Sequence, residues 1–190
     1  MIEACFRKAS RVCLYKKYYF YLLQDFNVSP NPMTNNPVEF IKIAVDLSRE
    51  GSQSNKGGPF GCVVVKNGKI VGKGSNQVTS SNDPTAHAEV VAIRDACKNL
   101  NTFQLTDCEI FTSCEPCPMC LGAIYWARPS KVYFANTRHE AAEAGFDDAF
   151  IYEEINVAPD KRKIEMVHFP DQQALQIFKD WIAKPDKIDY

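Results

Sequence analysis

A chain of 190 residues with 45% hydrophobic and 24% charged residues has the composition of one globular domain. A formal net charge of -1 leaves no broad basic footprint of the kind that holds a nucleic-acid backbone, so a small or neutral partner fits better. No run approaches the roughly 18 apolar residues of a membrane span, and the start lacks the apolar core of a secretory signal, so a cytoplasmic protein is expected.

Residues 1–35 differ from the rest of the chain: Arg7, Lys8, Arg11, Lys16 and Lys17 stand against Glu3 and Asp25, and the cluster Tyr18-Tyr19-Phe20-Tyr21 comes next. A basic, acid-poor start suits an organelle-targeting segment, but Ser10 is its one early serine and the aromatics are foreign to that class. The alternative is an N-terminal extension outside the fold, with the domain spanning 36–190. There Asn36 can cap a helix, Pro37 suits its first position, and Glu39 lies three residues after the cap. Phe40, Ile43 and Leu47, with Ile41, Ala44 and Val45, form its buried side, and it stops near Gly51.

After a polar loop, Phe60 to Val65 and Ile70-Val71 flank Asn67-Gly68, which predicts two strands joined by a tight hairpin. Asp83-Pro84 opens a helix in which Val90, Ile93, Cys97 and Leu100 recur at helical spacing. A strand at Glu109–Thr112, a helix at Pro118–Ala127 and a strand at Val132–Ala135 come after it. The last helix places Ala174, Ile177, Phe178, Trp181 and Ile182 on one face, before a polar tail from Lys184 to Tyr190. A hairpin followed by alternating helices and strands predicts an α/β sandwich with a mixed sheet.

Eight cysteines could serve disulfides or a metal, and their placement favours a metal in a reducing compartment: Cys114, Cys117 and Cys120 are spaced by three, and the rest lie scattered in apolar stretches. His87-Ala88-Glu89 opens one predicted helix, and Pro116-Cys117-Pro118-Met119-Cys120 opens the next. His87, Cys117 and Cys120 make three zinc ligands, and the fourth position left open for water is what separates a catalytic from a structural zinc. Cysteines in a first helical turn are favoured as thiolates. Residues two apart point to nearly opposite sides of a helix, so the ion must sit off the helix end, with Glu89 beside the open position as general acid–base. Cys114 competes as a ligand, but a fourth thiolate would close that position. His139 and His168 have no partner at ligand spacing.

This pairing of H-x-E with P-C-x-x-C is the signature of zinc deaminases. From Pro37 to Tyr190 the sequence resembles the cytidine deaminase-like superfamily and, more narrowly, bacterial guanine deaminases. The likeness runs through Gly57-Gly58-Pro59-Phe60-Gly61, Ser81 to Glu89, Ser113 to Cys120 and Ala144-Gly145-Phe146-Asp147-Asp148. It implies a three-layer α-β-α sandwich around a five-stranded mixed sheet, one zinc per subunit, and a homodimer in which the C-terminal segment can be exchanged. It implies hydrolysis of guanine to xanthine and ammonia, with a base pocket shaped by Asn76, Asp148 and Tyr190; Phe60 is expected to line the pocket floor. Asp147 competes with Asp148 for the same role.

Guanosine, isoguanine and cytosine are alternative substrates. A tRNA adenosine enzyme would share the zinc motifs but needs a basic groove, whereas acidic residues outnumber basic ones beyond residue 35. A non-catalytic zinc module is the alternative of another class, and Glu89 discriminates, because a structural site has no use for a carboxylate beside the metal.

Overall fold

A computed structural model describes residues 36–190; the predicted extension or targeting segment, 1–35, lies outside the described residues. Helix α1 spans Pro37–Gln53, and the Asn36 side chain caps it by accepting from the Val38 N–H at 3.1 Å. It ends near Gly51, as expected, two residues beyond it. Gly51 is buried within the helix, where a Cβ would meet the Ser75 side chain at 2.9 Å.

Strands β1 (Gly61–Lys66) and β2 (Lys69–Ser75) pair antiparallel through Asn67-Gly68, whose φ values of 50° and 73° give the primed turn that a two-residue hairpin needs. A one-turn helix, α2 (Val78–Ser81), comes next. Asp83-Pro84 does not open the following helix: Asp83 Oδ1 accepts from the Thr85 N–H at 2.8 Å and from its hydroxyl at 2.7 Å, which folds the stretch into a turn. Helix α3 starts later and spans Ala88–Leu100.

Strand β3 (Cys108–Cys114) pairs antiparallel with β1, helix α4 (Pro118–Ala127) crosses over, and β4 (Lys131–Asn136) returns parallel to β3. The sheet order is β2-β1-β3-β4. Along β1 the side chains alternate between two cores: Cys62 and Val64 pack with α3 and α4, Val63 and Val65 with Phe40 of α1. This is the expected three-layer α/β sandwich.

The fully buried face of α3 is Ala88, Ala92 and Ala96, while Ile93, Cys97 and Leu100 are only partly covered. Two glycines of β2 explain the small residues. A Cβ on Gly74 would lie 2.2 Å from the Ala88 carbonyl, and one on Gly72 2.5 Å from that of Ala92. The helix backbone rests directly on the strand.

Four strands are found among the described residues, where the resemblance implied five. After β4 the chain is diverted into helices: Thr137 and Glu140 form a reciprocal capping box that starts α5 (Arg138–Glu143). Helix α6 (Ala149–Asn156), a 3-10 turn at Pro159–Lys161 and helix α7 (Gln172–Ala183) complete the order. Helix α7 has the predicted position, but its apolar residues Leu175, Ile177, Phe178, Trp181 and Ile182 are exposed. No helix among the described residues is long and apolar enough to cross a membrane.

Candidate active site

Two helix N-termini meet at the site. His87 is the N-cap of α3, in extended conformation, and Cys117 is the N-cap of α4, its sulfur accepting from the Cys120 N–H at 3.5 Å. The sulfurs of Cys117 and Cys120 each lie 3.5 Å from His87 Nδ1. Zinc bonds of about 2.1 Å to nitrogen and 2.3 Å to sulfur, meeting at a tetrahedral angle, separate the two donor atoms by about 3.6 Å. The three side chains therefore fit a zinc ion as they stand. Cys117 and Cys120 share one proton: hydrogen bonding from Cys120, and then from His87, draws the Cys117 thiol down, while that same bond and then burial push Cys120 up, so without an ion one of the two is the thiolate.

Cys114 is not part of this group. Its thiol donates to the Thr137 carbonyl at 3.6 Å, and burial, followed by the charge of Glu89, pushes it up to about 11. It stays a thiol.

Glu89, in the first turn of α3, is 5% exposed. Its Oε1 accepts from the Thr112 hydroxyl at 2.9 Å and its Oε2 from the Cys120 thiol at 3.4 Å. Burial raises the carboxyl above its ordinary value, and those two bonds oppose the rise. A carboxyl group so placed is suited to take up a proton and give it back.

These groups line a cavity of about 360 Å³, together with Phe60, Asn76 and Asp148. Asn76 is buried, and its Oδ1 accepts from the N–H groups of Gly58 and Val78, each at 3.2 Å. The amide nitrogen is the half left to donate. Gly57 permits this contact, since a Cβ there would lie 2.2 Å from Asn76 Oδ1. Phe60 meets Phe146 edge to face, with centroids 4.9 Å apart.

Asp147 and Asp148 differ in their engagements. Asp147 Oδ1 accepts from the Ala149 N–H at 2.9 Å at the start of α6, whereas the partly buried Asp148 faces the charges of His87 and Cys117. Tyr190 is not brought to this cavity in its own chain. Its ring packs on Trp126 of α4 at 5.9 Å, in a separate apolar groove.

Two neighbours of the site carry no signal in the sequence. Thr112 has no marker beyond its place in a strand. Arg138, which also lines the cavity, lays its guanidinium 4.9 Å from the Tyr152 ring and donates its backbone N–H to Glu115 Oε2 at 3.1 Å; only the folded chain joins these residues.

Residues 34–136 match the family model for the cytidine and deoxycytidylate deaminase zinc-binding region. The chain is 54% identical over 155 residues to the guanine deaminase of Bacillus subtilis, a match covering 82% of this chain and 99% of that one. The X-ray structure of guanine deaminase from that species superposes with a TM-score of 0.80 over the same shares of the two chains. A tRNA-specific adenosine deaminase of Aquifex aeolicus is 33% identical over 149 residues, covering 76% of this chain and 93% of its own. The gathered histidine and cysteine donors, with a glutamate behind them, and these likenesses along the chain lead to one conclusion: the protein belongs to the zinc-binding cytidine and deoxycytidylate deaminase family.

Proposed function

We propose that this protein is a guanine deaminase, hydrolysing guanine to xanthine and ammonia with zinc held by His87, Cys117 and Cys120. The observation that carries the choice of base is the pair of fixed polarities across the cavity. Asn76 offers an amide N–H because its oxygen is occupied, and Asp148 offers an acceptor. Guanine has a matching face, with a carbonyl beside a run of N–H donors. The likeness to the Bacillus subtilis enzyme over nearly its whole length supports the same reading.

In the reaction Asn76 Nδ2 donates to the base carbonyl, Asp148 accepts from its N–H edge, and Phe60 packs against the ring. Asp148 takes this role because Asp147 is held by the helix start. Zinc, when bound, supplies Lewis acidity that makes water acidic enough to react near neutral pH. Glu89 takes the proton of the attacking water and passes it to the amino nitrogen, which leaves as ammonia. The buried setting of Glu89 keeps that proton from bulk solvent.

The enzyme works in the cytoplasm, in keeping with six free thiols among the described residues, and as a homodimer with exchanged C-terminal segments. What supports the exchange is unsatisfied surface. The edge of β4 exposes Phe134, the stretch 163–169 before α7 forms neither helix nor strand and leaves Ile164, Met166, Val167 and Phe169 exposed, and α7 leaves most of its apolar face to solvent. A second copy offers each of these a partner, including a fifth strand along β4, and brings Tyr190 over the base in the other subunit's cavity.

The test is ammonia release from guanine, guanosine, adenine, cytosine, isoguanine and a tRNA anticodon stem by the zinc-loaded protein. Turnover of guanine above the others is expected, and Glu89→Gln should retain zinc while losing it. An inert guanine beside another active base would refute the substrate, and full activity in Glu89→Gln would refute the mechanism.

A further inference from the structure

We infer that Thr112 is a positioning residue that gives the two oxygens of Glu89 different tasks, an inference that rests on the deaminase reading above. Thr112 lies within β3, completely buried and in register with Cys62 of β1. Its hydroxyl has two acceptors within reach: Glu89 Oε1 at 2.9 Å and the Gly61 carbonyl at 3.4 Å. The carboxylate oxygen is the nearer and the charged one, and it takes the hydrogen bond.

The division of tasks comes from what a carboxyl group can do with one proton. An oxygen that already accepts an O–H remains an acceptor, so an incoming proton settles on the other oxygen. With Thr112 on Oε1, that other oxygen is Oε2, whose one hydrogen-bond contact among the described residues is the Cys120 sulfur at 3.4 Å; Cys120 as a zinc-ligating thiolate has no proton to donate, which leaves Oε2 open to the proton of the water. The water O–H bond breaks as an O–H bond forms at Oε2, and the remaining oxygen adds to the ring carbon as the ring C=N π pair withdraws onto the ring nitrogen. The Oε2–H bond then breaks as an N–H bond forms on the amino nitrogen, and the C–N bond gives up its electron pair to departing ammonia while the pair on the ring nitrogen restores C=N, leaving the hydroxy tautomer of xanthine. Both transfers use the same atom without rotation of the carboxyl group. A β-branched residue in a strand suits the task, because its side chain has few rotamers to choose among.

The experiment compares wild type, Thr112→Val, Thr112→Ser, Glu89→Gln and the double variant Glu89→Gln/Thr112→Val as zinc-loaded full chains, measuring ammonia release and zinc per chain. Thr112→Val keeps the shape and removes the donor. Its kcat is expected to fall about ten- to a hundredfold, the range of a lost hydrogen bond to a charged group, with KM within about twofold and zinc retained. Thr112→Ser restores most of the rate, and adding Thr112→Val to Glu89→Gln lowers the residual rate no further. Wild-type kcat in Thr112→Val overturns the proposal. So does a serine variant as slow as the valine one, a loss carried by KM, or a loss that persists without Glu89. A wild type that deaminates none of the bases removes the functional reading itself, and the proposal with it.

Discussion

In the role proposed for it, Asp148 serves binding at the expense of the fold. Partial burial, and then the nearby Cys117 charge, raise its carboxyl above the ordinary aspartate value of 3.8. Folding therefore favours the neutral acid, and above the raised pKa the ionised form needed to accept from guanine lowers stability. Asp148→Asn should leave the Tm unchanged or higher while raising KM about ten- to a hundredfold through the lost charged hydrogen bond. In wild type KM should rise as pH falls and Asp148 takes up a proton. That limb should be missing in Asp148→Asn. Scanning calorimetry and steady-state kinetics across pH check both, and a wild-type KM that ignores pH there would exclude Asp148 from base recognition. Residues such as His87, Glu89, Cys117 and Cys120 were legible in the sequence because coordination chemistry restricts their type and spacing together. Thr112 was not, since a threonine chosen for a strand looks the same as one chosen for its hydroxyl. The occupied oxygen of Asn76 was equally hidden, for it depends on backbone groups of Gly58 and Val78 on two sides of the residue.

The seat of α3 on β2 carries the corresponding prediction for elements. Substituting Gly74→Ala puts a Cβ 2.2 Å from the Ala88 carbonyl and 2.6 Å from the Ala92 nitrogen, both backbone, so the helix start must lift. A loss of about 1–3 kcal/mol is expected from overpacking, seen as a lower denaturant midpoint. The same shift moves His87 and Glu89, so zinc per chain and ammonia release should fall together. Retained zinc and rate would mean that the site tolerates movement of its helix. The hairpin, the cap of α1 and the start of α4 at Pro118 could be read in advance because turn, cap and proline chemistry is local. The buried stripe of α3 could not. Periodicity of large apolar residues pointed to Val90, Ile93, Cys97 and Leu100, while close contact with two glycines made the alanines the inner face. Helix α7 could be located but its covering could not, since hydrophobic pattern says that a face seeks burial and not which chain provides it.

For the whole molecule, segment exchange makes a prediction that no monomer can meet. A chain ending at Ala183 keeps Glu89 but lacks Tyr190, and the full-length Glu89→Gln chain has the tail but lacks the base. Each alone should be nearly inactive. Mixed and reassembled, they should regain a substantial fraction of wild-type ammonia release, because a dimer of unlike chains contains one site with both parts. No recovery, despite mixed dimers detected by native mass spectrometry, would show that each tail serves its own subunit. The meeting of two helix N-termini at one cavity has a topological consequence as well. His87 and Cys117 are 30 residues apart in the chain, so an ion held between them is a cross-link that closes a loop of that length. Chain entropy alone values such a closure at about 3–4 kcal/mol, comparable to a disulfide yet reversible with a chelator. The centre held by these ligands thus doubles as a removable staple between the starts of two helices, and zinc binding adds to the stability of the fold by mass action.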